Sequence, residues 1–176
     1  MNRLNKAFQN GLDDLKKEEV KIIKQIEREN AEKKIEVYLA NAEKFEAALQ
    51  YLEAIARLKI ALNLETENFD GKSGRINLIR NRLGILHDTL AHYDKAIAYY
   101  EKALSSGLKN FGPGHPNVAR SWNNIGLAWN SKGEYDKAIE YFQKALAIFE
   151  KKLGNNHPYT KIVVNNLNSA ASPKTK

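Results

Sequence analysis

The sequence predicts an all-α fold, a solenoid of antiparallel helix pairs stacked side by side. The first observation behind this is a repeat. "YDKAIAYYEKAL" starts at Tyr93, "YDKAIEYFQKAL" starts 42 residues later at Tyr135, and the same step backwards lands on Tyr51 and "YLEAIARLKIAL". The second is register: Ala54, Ala96 and Ala138 align, as do Ile55, Ile97 and Ile139, and Ala61, Ala103 and Ala145 are each followed by Leu. The third is spacing, with Tyr141, Phe142, Leu146 and Phe149 giving bulk at helical intervals among small alanines. One such pair cannot bury its apolar stripe alone, so neighbours must stack.

Taken in order, residues 1–33 read as an N-terminal capping region. Leu4, Phe8, Leu12, Leu15, Ile23 and Ile26 fall at helical spacing between charged residues, which predicts one or two helices covering the first repeat. Clean heptads are too few for a coiled coil. Three repeats follow, at about 34–74, 75–116 and 117–158. In the third, Pro116 suits a first helical turn, where its missing N–H is not needed. That helix should run to about Ser131 and break at Lys132-Gly133; its partner should start near Tyr135 and fade at Leu153-Gly154. Upstream, "RLGILH" from Arg82 matches "NIGLAW" from Asn124 in the same register. A final helix at 159–170, containing "TKIVVNNLN", is the first half of a fourth unit; it caps the solenoid or marks where a longer protein was cut. Residues 171–176 form a polar tail.

The composition limits what the chain does. It has 176 residues, 43% of them hydrophobic and 28% charged, enough for one domain with a core. There is no Cys, which removes disulfides and thiolate metal sites. No apolar run approaches a signal core or a membrane span, so the expected location is the cytoplasm, with no membrane partner. The net charge of +7 is uneven: residues 71–176 carry 16 basic and 7 acidic side chains, a bias toward acidic partners. Nucleic acid is not the expected ligand, because the aromatics sit at core spacing rather than interleaved with the basic residues.

Trp122, Ile125, Gly126, Trp129, Ala138, Phe142 and Ala145 follow a W…LG…Y…A…F…A order, and in this the chain resembles the tetratricopeptide-repeat proteins. The second unit keeps Leu83, Gly84, Ala96, Tyr100 and Ala103 but has Arg80 at the Trp position. The first keeps Tyr38, Ala42, Phe45, Ala54, Leu58 and Ala61, with Asn41 at an apolar position. The period exceeds the usual one of about 34, and His115-Pro116 and His157-Pro158 precede helices. Both features are similar to the kinesin light chain type, a variant also found in bacterial repeat proteins. The resemblance covers residues 34–170 and implies a tetratricopeptide-type α-solenoid with a concave groove lined by the first helix of each pair.

Helix geometry then gives the paired amides of "SWNNIG" a place. At about 100° per residue, Ile125, Gly126 and Trp129 fall within about 60° of Trp122, while Arg120, Asn123, Asn124 and Leu127 lie about 100–200° away. Equivalent residues are Leu78, Asn81, Arg82 and Ile85 in the second unit and Ile162, Asn165 and Asn166 in the final helix. Asn81, Asn123 and Asn165 thus form one row, with Arg82, Asn124 and Asn166 beside it. An amide tip donates and accepts, so such rows pair with the backbone of an extended peptide. Leu78, Ile85, Leu127 and Ile162 would supply apolar pockets between them, and Arg82 and Arg120 would attract acidic side chains. Similar asparagine ladders are part of the kinesin light chain resemblance. The first repeat has Glu36, Glu43 and Glu46 on this face and is acidic instead.

Other motifs carry less. "DGKSG" at Asp70 to Gly74 resembles the end of a phosphate loop, but Thr66 stands where that motif needs Gly, and an inter-repeat loop is the expectation. His115 and His157 suit turn or capping roles, and His87, at the position of Trp129, suits the core. No nucleophile–base pair has supporting spacing, so no catalysis, cofactor or metal is expected. The sequence therefore points to an interaction scaffold for a protein or peptide partner. Two other readings are a self-association module, in which the last helix stacks on another copy, and a regulatory or sensor segment of a larger protein.

Overall fold

The computed structural model describes residues 2–69 and 74–172. Residues 70–73 of the expected inter-repeat loop, residues 173–176 of the tail and the Leu4 side chain lie outside that part. The described residues form seven helices and no strand: α1 (Asn2–Ala47), α2 (Tyr51–Asn68), α3 (Gly74–Thr89), α4 (Tyr93–Phe111), α5 (Pro116–Ser131), α6 (Tyr135–Leu153) and α7 (Pro158–Ala171). None is long and apolar enough to cross a membrane. Pairs α1–α2, α3–α4 and α5–α6 pack closely, and each packs on the next, with α7 on α6.

The turn inside each pair is the same motif three times. His92 N–H donates to the His87 carbonyl at 2.8 Å and Ala91 N–H to the Asp88 carbonyl at 2.8 Å; the equivalent pairs close α1 (Gln50 to Phe45, Leu49 to Glu46) and α5 (Glu134 to Trp129, Gly133 to Asn130). This is a Schellman ending, which puts one residue in the left-handed region. That residue is Leu49 (φ 58°), Ala91 (φ 57°) or Gly133 (φ 87°). Between pairs, the His115 and His157 rings cap α5 and α7, their Nδ1 atoms accepting from Asn117 N–H at 3.1 Å and Tyr159 N–H at 3.2 Å. The imidazoles thus take the place usually held by Ser or Asp side chains.

The core runs along the stack. Ile35, Ala42, Leu58, Ile79 and Leu83 fill the first layer, Tyr100, Val118 and Ile125 the second, and Phe142, Phe149 and Val163 the third. His87, expected in the core, is buried at 5% exposure.

The N-terminal region departs from expectation. In place of a cap folded over the first repeat, residues 2–47 form one unbroken helix of 46 residues. From Glu18 to Phe45 there is no Gly or Pro to stop it. Its two apolar stripes are also out of phase: nine residues separate Ile26 from Ile35, which at about 100° each places them on opposite faces. Ile35 and Ala42 face α2 and are buried, while Phe8, Leu15, Ile22 and Ile26 stay exposed.

Candidate functional site

Curvature decides which face is inner. Among the described residues the backbone of α5 comes close to those of α3 and α7, whereas the backbones of α2, α4 and α6 stay apart. The first helices are therefore crowded together, and their free faces form the inner wall. Leu78, Ile85, Leu127 and Ile162 stand exposed on it, at 54%, 52%, 37% and 48%. Asn81, Arg82, Asn123, Asn124 and Asn166 are half-buried beside them, and Arg120 and Asn165 are exposed.

Two clefts on this wall are the same place one repeat apart. One, of about 160 Å³, lies between α3, α4 and α5 and is lined by Asn77, Leu78, Asn81, Gly107, Phe111, Asn117, Arg120 and Ser121 among others. The other, of about 230 Å³, lies between α5, α6 and α7 and is lined by Arg120, Asn123, Asn124, Phe149, Tyr159, Ile162 and Val163. Adding 42 converts Asn81 to Asn123, Gly107 to Phe149, Asn117 to Tyr159 and Ser121 to Val163. The first cleft consequently has Gly107 where the second has a phenyl ring. Arg120 lines both.

The amides do not all behave alike. Asn123 Oδ1 accepts from Asn166 Nδ2 at 2.9 Å, a strut between α5 and α7. The Oδ1 atoms of Asn77 and Asn81 are buried at the first cleft with no partner, a state that normally costs about 1–3 kcal/mol until a donor arrives. Asn165, Ile85 and Leu127 line neither cleft.

Arg82 corrects the reading that it awaits acidic side chains of a partner. Its guanidinium donates to Glu46 Oε1 at 2.9 and 3.2 Å and to Glu43 Oε1 at 3.4 Å. The acidic face of the first repeat is answered from within. Arg120 has no ion-pair partner among the described residues, and its guanidinium lies 5.9 Å from the centre of the Tyr159 ring. Asn77, Asn117 and Tyr159 were missed by the sequence reading; Asn77 lies one turn before Asn81 and could have been found by its four-residue spacing.

Sequence models of the tetratricopeptide repeat match residues 93–151, 117–167 and 79–106, together half of the chain. No curated protein matches the sequence. Among solved structures, BtubC from P. vanneervenii is 25% identical with a TM-score of 0.71, over 77% of this chain and 54% of that one. The kinesin light chain TPR-like repeats of P. anserina are 18% identical with a TM-score of 0.68, over 77% and 64%. The TPR2AB domain of yeast Sti1, in complex with pHSP90, is 23% identical with a TM-score of 0.60, over 77% and 45%. The chain thus spans between about half and two thirds of the first two proteins it resembles. The repeat matches, the pairwise helices and the neighbouring folds agree, and the chain belongs to the tetratricopeptide-repeat family.

Proposed function

We propose that this protein is a non-catalytic scaffold that holds an extended, acidic peptide segment of a protein partner along the inner wall of α3, α5 and α7. One observation carries the reading: two equivalent clefts one repeat apart share Arg120, which has no carboxylate partner among the described residues, and one of them is lined by Asn77 and Asn81, whose buried amide oxygens lack donors. The amides of Asn77 and Asn81 turn toward the cleft to pair with the peptide backbone, Asn124 pairs with the next peptide unit, and Arg120 takes a carboxylate. The cleft at Gly107, with Asn77, Asn81 and Asn117 in its lining, receives a small side chain and the cleft over Phe149 an apolar one. The Sti1 structure, a complex with pHSP90 on a related fold, supports a protein ligand. Self-association is the second reading, favoured by the exposed apolar stripe of α1.

Selection of a displayed short-peptide library against the wild type tests this. Acidic sequences should be enriched, and their binding should weaken with salt. Replacing Asn81, Arg120 and Asn124 together by Ala should weaken the best peptide roughly 10- to 100-fold, given about 1 kcal/mol per neutral hydrogen bond and more for a charged one. Absence of enrichment, or a variant that binds as tightly as wild type, sinks the proposal.

A further inference from the structure

On the outer side, a cleft of about 280 Å³ between α2, α3 and α4 is lined by Lys59, His87, Lys95, Ala98, Tyr99 and Lys102. Three lysines from two helices line it, with no Asp or Glu among the lining residues. Among the described residues none of the three lysines has a carboxylate partner within ion-pair distance. At the floor, the His87 ring stacks on Tyr99 with centroids 5.5 Å apart and planes 7° from parallel. Its Nδ1 is buried without a hydrogen-bond partner. Burial, Lys59, His92 and Lys95 together hold the imidazolium's pKa below its ordinary value. The cleft is thus a concentration of positive charge that the protein leaves unanswered.

The next repeat shows that this is not a property of the repeat itself. The same positions one repeat on, 42 residues later, read Glu101 for Lys59, Trp129 for His87, Glu134 for His92 and Glu140 for Ala98, while Lys137 and Lys144 keep the places of Lys95 and Lys102. There Lys137 pairs with Glu134 at 3.4 Å and lies over the Trp129 ring at 4.3 Å. In that unit two lysines share these positions with three glutamates; here three lysines share them with none. All three carboxylates have been exchanged for a cation or a neutral group, and the indole that would fill the floor for an imidazole. Packing needs none of these changes, since the next repeat folds without them.

We infer that the cleft formed by Lys59, His87, Lys95, Tyr99 and Lys102 binds a phosphate group. A phosphate monoester brings a charge of about −1.5 to −2 and three acceptor oxygens, which match three ammonium donors better than a single carboxylate does. The volume falls just under the usual range for small-molecule sites, about 300–1,000 Å³, so the phosphate enters and whatever carries it stays outside. That carrier is either a small metabolite or a phosphorylated side chain of a protein. The site is separate from the inner wall and stands whether or not a peptide binds there.

The test is a titration of the isotope-labelled 176-residue chain by NMR at constant ionic strength, with inorganic phosphate and, separately, with O-phosphoserine. The His87 ring and the amides from Lys95 to Lys102 should shift saturably. Replacing Lys59, Lys95 and Lys102 together by Gln, all on exposed positions, should weaken binding at least about tenfold. Replacing Lys137 and Lys144 by Gln should leave it unchanged. Tighter binding of phosphoserine assigns the site to a phosphorylated side chain, and equal or tighter binding of inorganic phosphate assigns it to a small phosphate; either order upholds it. No saturable shift, or the same loss in both sets of variants, overturns it.

Discussion

At Gly126 two helices approach because one of them lacks a side chain. A Cβ built there lies 2.7 Å from two carbons of the Phe142 ring and 3.2 Å from the Ala138 carbonyl oxygen. Phe142 is fully buried and cannot swing away. Gly126→Ala should therefore destabilise the fold by roughly 1–3 kcal/mol, as overpacking does in a filled core, even though Ala is the better helix former. Denaturant unfolding measures this, and a variant as stable as wild type would show that the ring has room. The glycine was legible in the sequence because it recurs as Gly84 and Gly126 in the same register. The partners of the polar residues were not. Asn123 meets Asn166 and Arg82 meets Glu46 only because α5 lies beside α7 and α3 beside α1. No spacing along one helix encodes those contacts; the stacking geometry does.

The turn within each pair illustrates how an element can be fixed by backbone rather than side chain. Its left-handed residue is Leu49, Ala91 or Gly133, so two of three copies use a residue that the conformation disfavours. Packing on either side holds the chain there. Ala91→Gly should consequently stabilise the protein by about 0.5–1 kcal/mol, the left-handed penalty of about 1–2 kcal/mol less the entropy that Gly adds to the unfolded chain. In a thermal melt this appears as a rise of roughly 2 °C for a domain of this size, with Gly133→Ala moving the other way. A fall in melting temperature for Ala91→Gly would mean that the Ala methyl packs usefully in the turn. The ends of α5 and α6 were readable from Pro116, Gly133 and Gly154, residues whose backbone preferences act locally. The extent of α1 was not, because helical periodicity marks a helix without saying which stripe will find a partner.

At the scale of the molecule, the mismatch of stripes in α1 divides the protein into a packed body and a projecting arm. From Asn5 to Asn30 every side chain but Leu12 is exposed, so that stretch gains almost nothing from the core. An isolated helix is marginal in water, since its stability in proteins comes chiefly from packing. Backbone amides between Asn5 and Asn30 should therefore exchange with solvent through local fraying, while those of α5 and α6 wait for global unfolding. With a domain stability of about 5–15 kcal/mol, the two groups should differ by at least about a thousandfold in protection at low protein concentration. Hydrogen exchange followed by mass spectrometry resolves the two regions. Protection of the arm that matches α5 and α6 would refute its independence from the body. Protection that rises with protein concentration would instead mean that Phe8, Leu15, Ile22 and Ile26 are covered by another copy, and the arm would then be an assembly element built onto a binding scaffold.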